Sequence, residues 1–294
     1  MRGASICPRT ILADQYSILS IMGTSQTVDD ILCTRDPNHS RPYDFITIPS
    51  RDEHSATVVW LHGLGDSGKG MEFLAEELSK QPGLGHVKWI LPHAHRMIVT
   101  AQDVSMNSWF DYISFDVRNR TEDEPGLYRA VEKINSIISA EEQDSKISSD
   151  RIIVGGFSQG SAVALLTALT TKRPLAGVFV LSGYIPLRKK TNEIASALAS
   201  TLPIFWGHGC HDAQIEYTFS LDTAMTLVSD RLRIPFHESS DRLGSEIFLE
   251  LESKVGLRFM TYPNMGHSLC PPEVGDLGVW MEAIIPKEAS VNEG

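Results

Sequence analysis

The sequence predicts an α/β protein, with one mostly parallel sheet and helices on both of its faces. Three observations predict it: six short apolar runs that each stop at Gly, Pro or His, stretches of helical periodicity between them, and no internal repeat. Of the 294 residues, 42% are hydrophobic and 21% charged, close to globular averages, so the chain can bury one large core.

Residues 1 to about 40 show neither strand nor helix periodicity, and "TRDPNHSRP" at 34–42 is polar and turn-forming. Residues 1–42 therefore read as a poorly ordered N-terminal extension. Arg9, Asp14 and Gln15 interrupt its apolar residues, which argues against a secretory signal and leaves organelle targeting open. Met22 opens "MGTSQT", which fits the myristoylation pattern if translation starts there, although short patterns of this kind also arise by chance.

The folded domain is expected over 43–287, followed by a tail at 288–294. Its buried strands are "ATVVWLHG" (56–63), "HVKWILPH" (86–93), "RIIVGGF" (151–157), "LAGVFVLSG" (175–183), "LPIFWGHG" (202–209) and "LRFMTYP" (257–263). Continuous apolar runs of this length mark strands covered on both faces, as in a parallel sheet. The clearest helix carries Leu127, Ala130, Val131, Ile134, Ile137 and Ile138 at helical spacing. The segment 230–254 is rich in charge, has only a weak stripe of Leu243, Ile247 and Leu251, and reads as a surface insertion.

A net charge of −11, with no Lys/Arg cluster that locally reverses it, argues against nucleic acid as a partner. No apolar run reaches the roughly 18 residues of a membrane span, so membrane contact would be at most peripheral. Cys7, Cys33, Cys210 and Cys270 are far apart and show neither zinc-site nor disulfide spacing.

Chemistry concentrates at the strand ends. In "GGFSQGSAVAL" (155–165), Ser158 follows a buried strand and precedes an apolar helix, the setting of a nucleophile elbow. Gly156 and Gly160 then keep the strained turn free of side chains. A serine hydroxyl needs a base oriented by a carboxylate, in the order Ser, acid, His along such folds. Asp212 follows "PIFWGHGCHD" and His267 follows "LRFMTYPNMGH", each just past a buried strand. Read singly, Asp212 could equally be a helix cap and His267 an ordinary loop histidine. The "HGLGD" turn after the first strand supplies Leu64, whose N–H, with that of Gln159, is the expected oxyanion donor.

On these residues the sequence resembles the acyl-protein thioesterase and carboxylesterase family of α/β-hydrolases. The shared blocks run in family order over about 43–286: "HGLGDSGKG", "ILPHA", "NSWFD", "EDEPGL", "DRIIVGGFSQGSAVAL", "LAGVFVLSGYIPL", "GHGCHD" and "MGHS". The resemblance implies an α/β-hydrolase fold and a serine hydrolase that removes fatty acyl groups from protein cysteines, with lysophospholipids and small esters as further substrates. It places Ser158, Asp212 and His267 on the family's triad and Leu64 and Gln159 on its oxyanion donors. No metal or cofactor is required. Cytoplasm is the implied location, with the nucleus open, and a homodimer is left open.

Three departures bear on substrate. Ala213-Gln214 follows Asp212 where Asp-Pro is frequent, Gly183-Tyr184 stands where a small or cysteine residue and a tryptophan are frequent, and the 230–254 segment lies between acid and base. The expected acyl-binding surface is Met106, Trp109, Tyr184, Ile185, Leu187 and Leu269, with Trp109 favoured because a loop tryptophan has no obvious core role. Two rival readings are a carboxylesterase for a small metabolite ester and, in another class, a non-catalytic binding protein on the same fold.

Overall fold

The structure, a computed structural model, describes residues 42–228, 232–240 and 255–288. The N-terminal extension with Met22, the Leu243, Ile247 and Leu251 stripe, and most of the tail lie outside the described residues.

The described residues form ten strands: β1 (Phe45–Ile48), β2 (Ala56–Leu61), β3 (Val87–Pro92), β4 (Arg96–Val99), β5 (Val104–Asn107), β6 (Ile152–Phe157), β7 (Gly177–Leu181), β8 (Pro203–Gly209), β9 (Phe236–Ser239) and β10 (Gly256–Tyr262). Eight of them form one sheet in the order β1-β3-β2-β6-β7-β8-β10-β9, and β4-β5 is a separate hairpin. Only β1 runs antiparallel to its neighbour in that sheet. The six apolar runs are its six central strands, and the fold is that of the α/β-hydrolases.

The helices are α1 (Gly68–Ser79), α2 (Glu124–Asp144), α3 (Gln159–Thr170), the short α4 (Thr191–Ile194), α5 (Tyr217–Ala224) and α6 (Pro271–Ile284). Two apolar layers sandwich the sheet. One holds the α2 stripe from Leu127 to Ile138, α3 residues such as Val163 and Leu166, and Ala224 of α5. The opposite layer holds Met71, Ala75 and Leu78 of α1 with Leu277, Trp280 and Met281 of α6. Helix α3 is buried from Gln159 to Leu169, which is why its sequence shows no polar face. Helix α2 starts where Asp123 accepts the Gly126 N–H at 2.9 Å, and the same carboxylate accepts the Asp111 N–H at 2.8 Å. One acid thus caps the helix and ties down the loop that follows β5.

The 230–254 segment is not wholly an insertion outside the sheet. Residues Phe236–Ser239 form β9, parallel to β10, and Leu232 and Ile234 are buried. A four-residue edge strand that is half exposed carries too little apolar signal to stand out among the charges around it.

The chain leaves β2 for β3 on one side and comes back to β6 on the other, so the strand order reverses between β2 and β6. A crevice at the carboxyl ends of the strands is expected at such a switch point. The His62–Gly65 turn leaves β2 there, and Ser158 leaves β6.

Candidate active site

Ser158 sits between β6 and α3 with φ 53° and ψ −118°, a conformation that few residues other than glycine adopt. Its N–H donates to the Leu181 carbonyl at 2.9 Å, which holds the turn against the end of β7. A Cβ at Gly156 would lie 2.5 Å from the Gly160 carbonyl carbon, and one at Gly160 would lie 2.4 Å from the His62 oxygen. The two glycines therefore allow the helix to leave the strand sharply and α3 to pack on the β2 loop.

The structure brings Ser158, Asp212 and His267 together from three strand ends. His267 Nδ1 lies 2.8 Å from Asp212 Oδ2, and Nε2 lies 2.9 Å from Ser158 Oγ. A carboxylate only accepts, so Nδ1 carries the proton and Nε2 presents its lone pair to the serine hydroxyl. The other Asp212 oxygen accepts the Gln214 and Ile215 N–H groups at 2.9 and 2.8 Å. Asp212 thus folds its own loop around itself, and the Ala213-Gln214 departure leaves the carboxylate held. Burial opposes ionisation of Asp212, but the His267 hydrogen bond and the backbone donors outweigh it and hold the carboxyl below its usual range.

Neither the Leu64 nor the Gln159 backbone N–H donates to an acceptor among the described residues. The Leu64 turn is braced by His62, which sequence reading did not single out, and by Trp109, which it placed elsewhere. His62 is fully buried; its Nε2 accepts the Ala94 N–H at 3.0 Å, so Nδ1 is the donor, to the Gly63 carbonyl at 2.7 Å. Burial pushes the His62 pKa down to about 4, so the ring stays neutral and keeps that tautomer. The Trp109 indole N–H donates to the His62 carbonyl at 2.8 Å, and the Gly65 N–H donates to the Asn107 carbonyl at 2.9 Å.

The Gln159 side chain is a second brace: its Oε1 accepts the Trp109 N–H at 3.1 Å and its Nε2 donates to the Phe110 carbonyl at 2.8 Å. The residue after Ser158 therefore also fixes the loop that supports the Leu64 turn. Gln159 is fully buried, so the "NSWF" and "FSQG" blocks meet in space for a packing reason.

The expected acyl-binding residues separate into two groups. Met106 and Leu269 are half-buried, and the Met106 sulfur lies 3.7 Å from where a Gly65 Cβ would stand, beside the Leu64 turn. Trp109 is a correction: it is buried, packs edge-on against Tyr43 with ring centroids 5.0 Å apart, and has a core role as the brace just described. Tyr184, Ile185 and Leu187 are also buried, and they line a separate cavity together with Arg118 and Arg120 rather than an open apolar groove. The expectation of no local cationic cluster is corrected by that cavity too, because Arg118, Arg120, Arg188, Lys189 and Lys190 all line it.

Among the described residues no group of His, Cys, Asp and Glu could hold a metal ion, and no helix is long and apolar enough to cross a membrane.

The chain matches the phospholipase/carboxylesterase family over residues 43–242, a stretch that includes Ser158 and Asp212 and ends before His267. Acyl-protein thioesterase 1 of Cryptococcus neoformans is 40% identical over 246 residues, covering 81% of this chain and 97% of that protein. Acyl-protein thioesterase 1 of Mycosarcoma maydis is 38% identical over 242 residues, covering 80% of this chain and 93% of that protein. Among solved structures, Zea mays acyl-protein thioesterase 2 superimposes with a TM-score of 0.65 at 25% identity, covering 82% of this chain and 99% of that one.

Proposed function

Because the chain belongs to the phospholipase/carboxylesterase family and is a deacylating hydrolase, we propose that Ser158, His267 and Asp212 are its triad and that S-acylated proteins are its substrates. The observation that carries this reading is the continuous hydrogen-bond chain from Asp212 through His267 to Ser158 Oγ, with steps of 2.8 and 2.9 Å.

His267 Nε2 takes the hydroxyl proton as Ser158 Oγ attacks the acyl carbon. Asp212 holds the ring in the Nδ1–H tautomer and stabilises the imidazolium that forms. Charge develops on the carbonyl oxygen, and the Leu64 and Gln159 N–H groups meet it. The thiol leaves with the proton from Nε2; water, activated by the same imidazole, then cleaves the acyl-enzyme ester. A thiol with a pKa near 8.5 departs more readily than an amine, so thioesters demand less of His267 than peptides would. Met106, at the side of the Leu64 turn, and Leu269, two residues after His267, are the acyl contacts this reading keeps.

The test is hydrolysis of acyl thioesters and p-nitrophenyl esters from two to sixteen acyl carbons, with Ser158→Ala protein as blank. Rates that depend on Ser158 and rise toward long-chain thioesters support a protein depalmitoylating role. Activity restricted to short esters would instead indicate a small-ester carboxylesterase using the same residues.

A further inference from the structure

A cavity of about 410 Å³ lies between the 117–122 loop, the 184–190 segment after β7 and Phe219 of α5. Its lining carries five cationic side chains, Arg118, Arg120, Arg188, Lys189 and Lys190, against two carboxylates, Glu122 and Glu124. In a chain of net charge −11 that is a marked local reversal. Two of the cations are neutralised in place: Arg118 pairs with Glu216 at 2.7 Å and Lys190 with Glu124 at 2.6 Å. Arg188 and Lys189 are exposed and form no ion pair among the described residues.

Arg120 is the inner cation. Its guanidinium carbon lies 4.2 Å from the Tyr112 ring centroid and 4.7 Å from that of Tyr184. Among the described residues neither of its terminal nitrogens, both buried, has a hydrogen bond of good geometry, and the Tyr112 hydroxyl and the Glu122 carboxylate act on it electrostatically. A guanidinium held against two aromatic rings keeps its N–H groups, and that planar fork can take two oxygens of one anion at once. Buried donors without acceptors are costly, and a cavity beside them is where an acceptor can sit. Of the two carboxylates, Glu122 has one oxygen engaged by the Leu187 N–H at 2.9 Å and forms no ion pair with Arg120 within 4.0 Å, although the two charges act on each other electrostatically.

We propose that this cavity binds the oxyanion of a phosphate ester, with Arg120 gripping it from within and Arg188 and Lys189 closing on it from the rim. With Glu122, Glu124 and the Glu216 that pairs Arg118 set against the five cations, a net positive charge of two remains, which suits a phosphate of charge near −2 better than a monovalent carboxylate. The phosphate can belong to a soluble ester or to a lysophospholipid headgroup, and the cavity is larger than inorganic phosphate requires. The lining includes none of Ser158, Asp212 and His267, and the inference concerns binding and does not depend on Ser158 being the nucleophile.

The test is calorimetric titration of the full chain with sn-glycerol 3-phosphate, with palmitoyl lysophosphatidic acid below its critical micelle concentration, and with acetate. Both phosphate compounds should bind, acetate far more weakly, and Arg120→Met should weaken phosphate binding by about tenfold or more, as expected for loss of a charged bidentate contact. The surface double variant Arg188→Ala/Lys189→Ala cannot disturb the core and should weaken binding several-fold. Equal affinities for the two phosphates identify a soluble ester; tighter lysophosphatidic acid binding, displaced by glycerol phosphate, identifies a lipid headgroup. Absence of binding by either phosphate, binding unchanged in both variants, or acetate binding as tightly as phosphate would overturn the proposal.

Discussion

Between pH 7.5 and pH 5 the unfolded chain protonates His62 while the folded chain does not. The folded pKa is about 4 because burial penalises the charged ring, and the unfolded value is about 6.5. The unfolded state therefore binds the proton first, and the stability conferred by a neutral His62 is complete above about pH 6.5 and lost as pH falls toward 4. At pH 5 the loss from this group is about 2 kcal/mol. In His62→Phe the ring no longer titrates, but the Ala94 N–H, which His62 Nε2 accepts at 3.0 Å, is left buried and unpaired at a cost of about 1–3 kcal/mol. Urea unfolding followed by tryptophan fluorescence should show the variant less stable at pH 7.5, with the gap to wild type narrowing by about 2 kcal/mol at pH 5. The other histidines titrate in both proteins and cancel in the difference. A gap that stays constant across that range would refute the neutral, buried His62 and with it this account of how the Leu64 turn is held.

Three further predictions concern the site and its frame. Asp212→Asn keeps a hydrogen-bonding group but favours the wrong His267 tautomer, so kcat should fall by about 10³–10⁴ with little change in thermal stability; a loss below tenfold would remove Asp212 from the triad. Gly160→Ala places a methyl 2.4 Å from the His62 oxygen and 2.6 Å from that of Leu61, whereas Gly266→Ala meets nothing nearer than 3.6 Å. The first should lower both kcat and melting temperature and the second neither, as measured side by side. Glu273 is fully buried, and burial, outweighing the Cys270 backbone N–H, raises its pKa well above the usual carboxyl range. Its stabilising protonated form is favoured by folding, so stability is lost as pH rises above the unfolded value. Glu273→Gln should then unfold at higher urea than wild type at pH 7.5 and show no such gain at pH 4.

How much was legible in the sequence follows from what each residue faces. The six central strands are covered on both sides, so their apolar runs stand out, whereas β1, β4, β5 and β9 lie at edges or in a two-stranded hairpin and alternate or mix exposed residues. Ser158, Asp212 and His267 could be picked because each directly follows a buried run in the order the chemistry needs. His62 could not be told from the other histidines, because its role rests on two backbone groups, Gly63 O and Ala94 N, the second of them 32 residues away. Trp109 looked like a surface aromatic for the same reason: its hydrogen-bond partner is the turn after β2. The cationic cavity was not legible because residues 118–120 and 188–190 are far apart in the chain and come to one cavity only in the fold.

The central claim, that Ser158 is a nucleophile activated by His267, is tested most directly by labelling with a fluorophosphonate and mapping the adduct by mass spectrometry. The account predicts one adduct per chain on Ser158, none in Ser158→Ala, and labelling slowed at least a hundredfold in His267→Ala. Failure to label, an adduct on another residue, or undiminished labelling without His267 would contradict it.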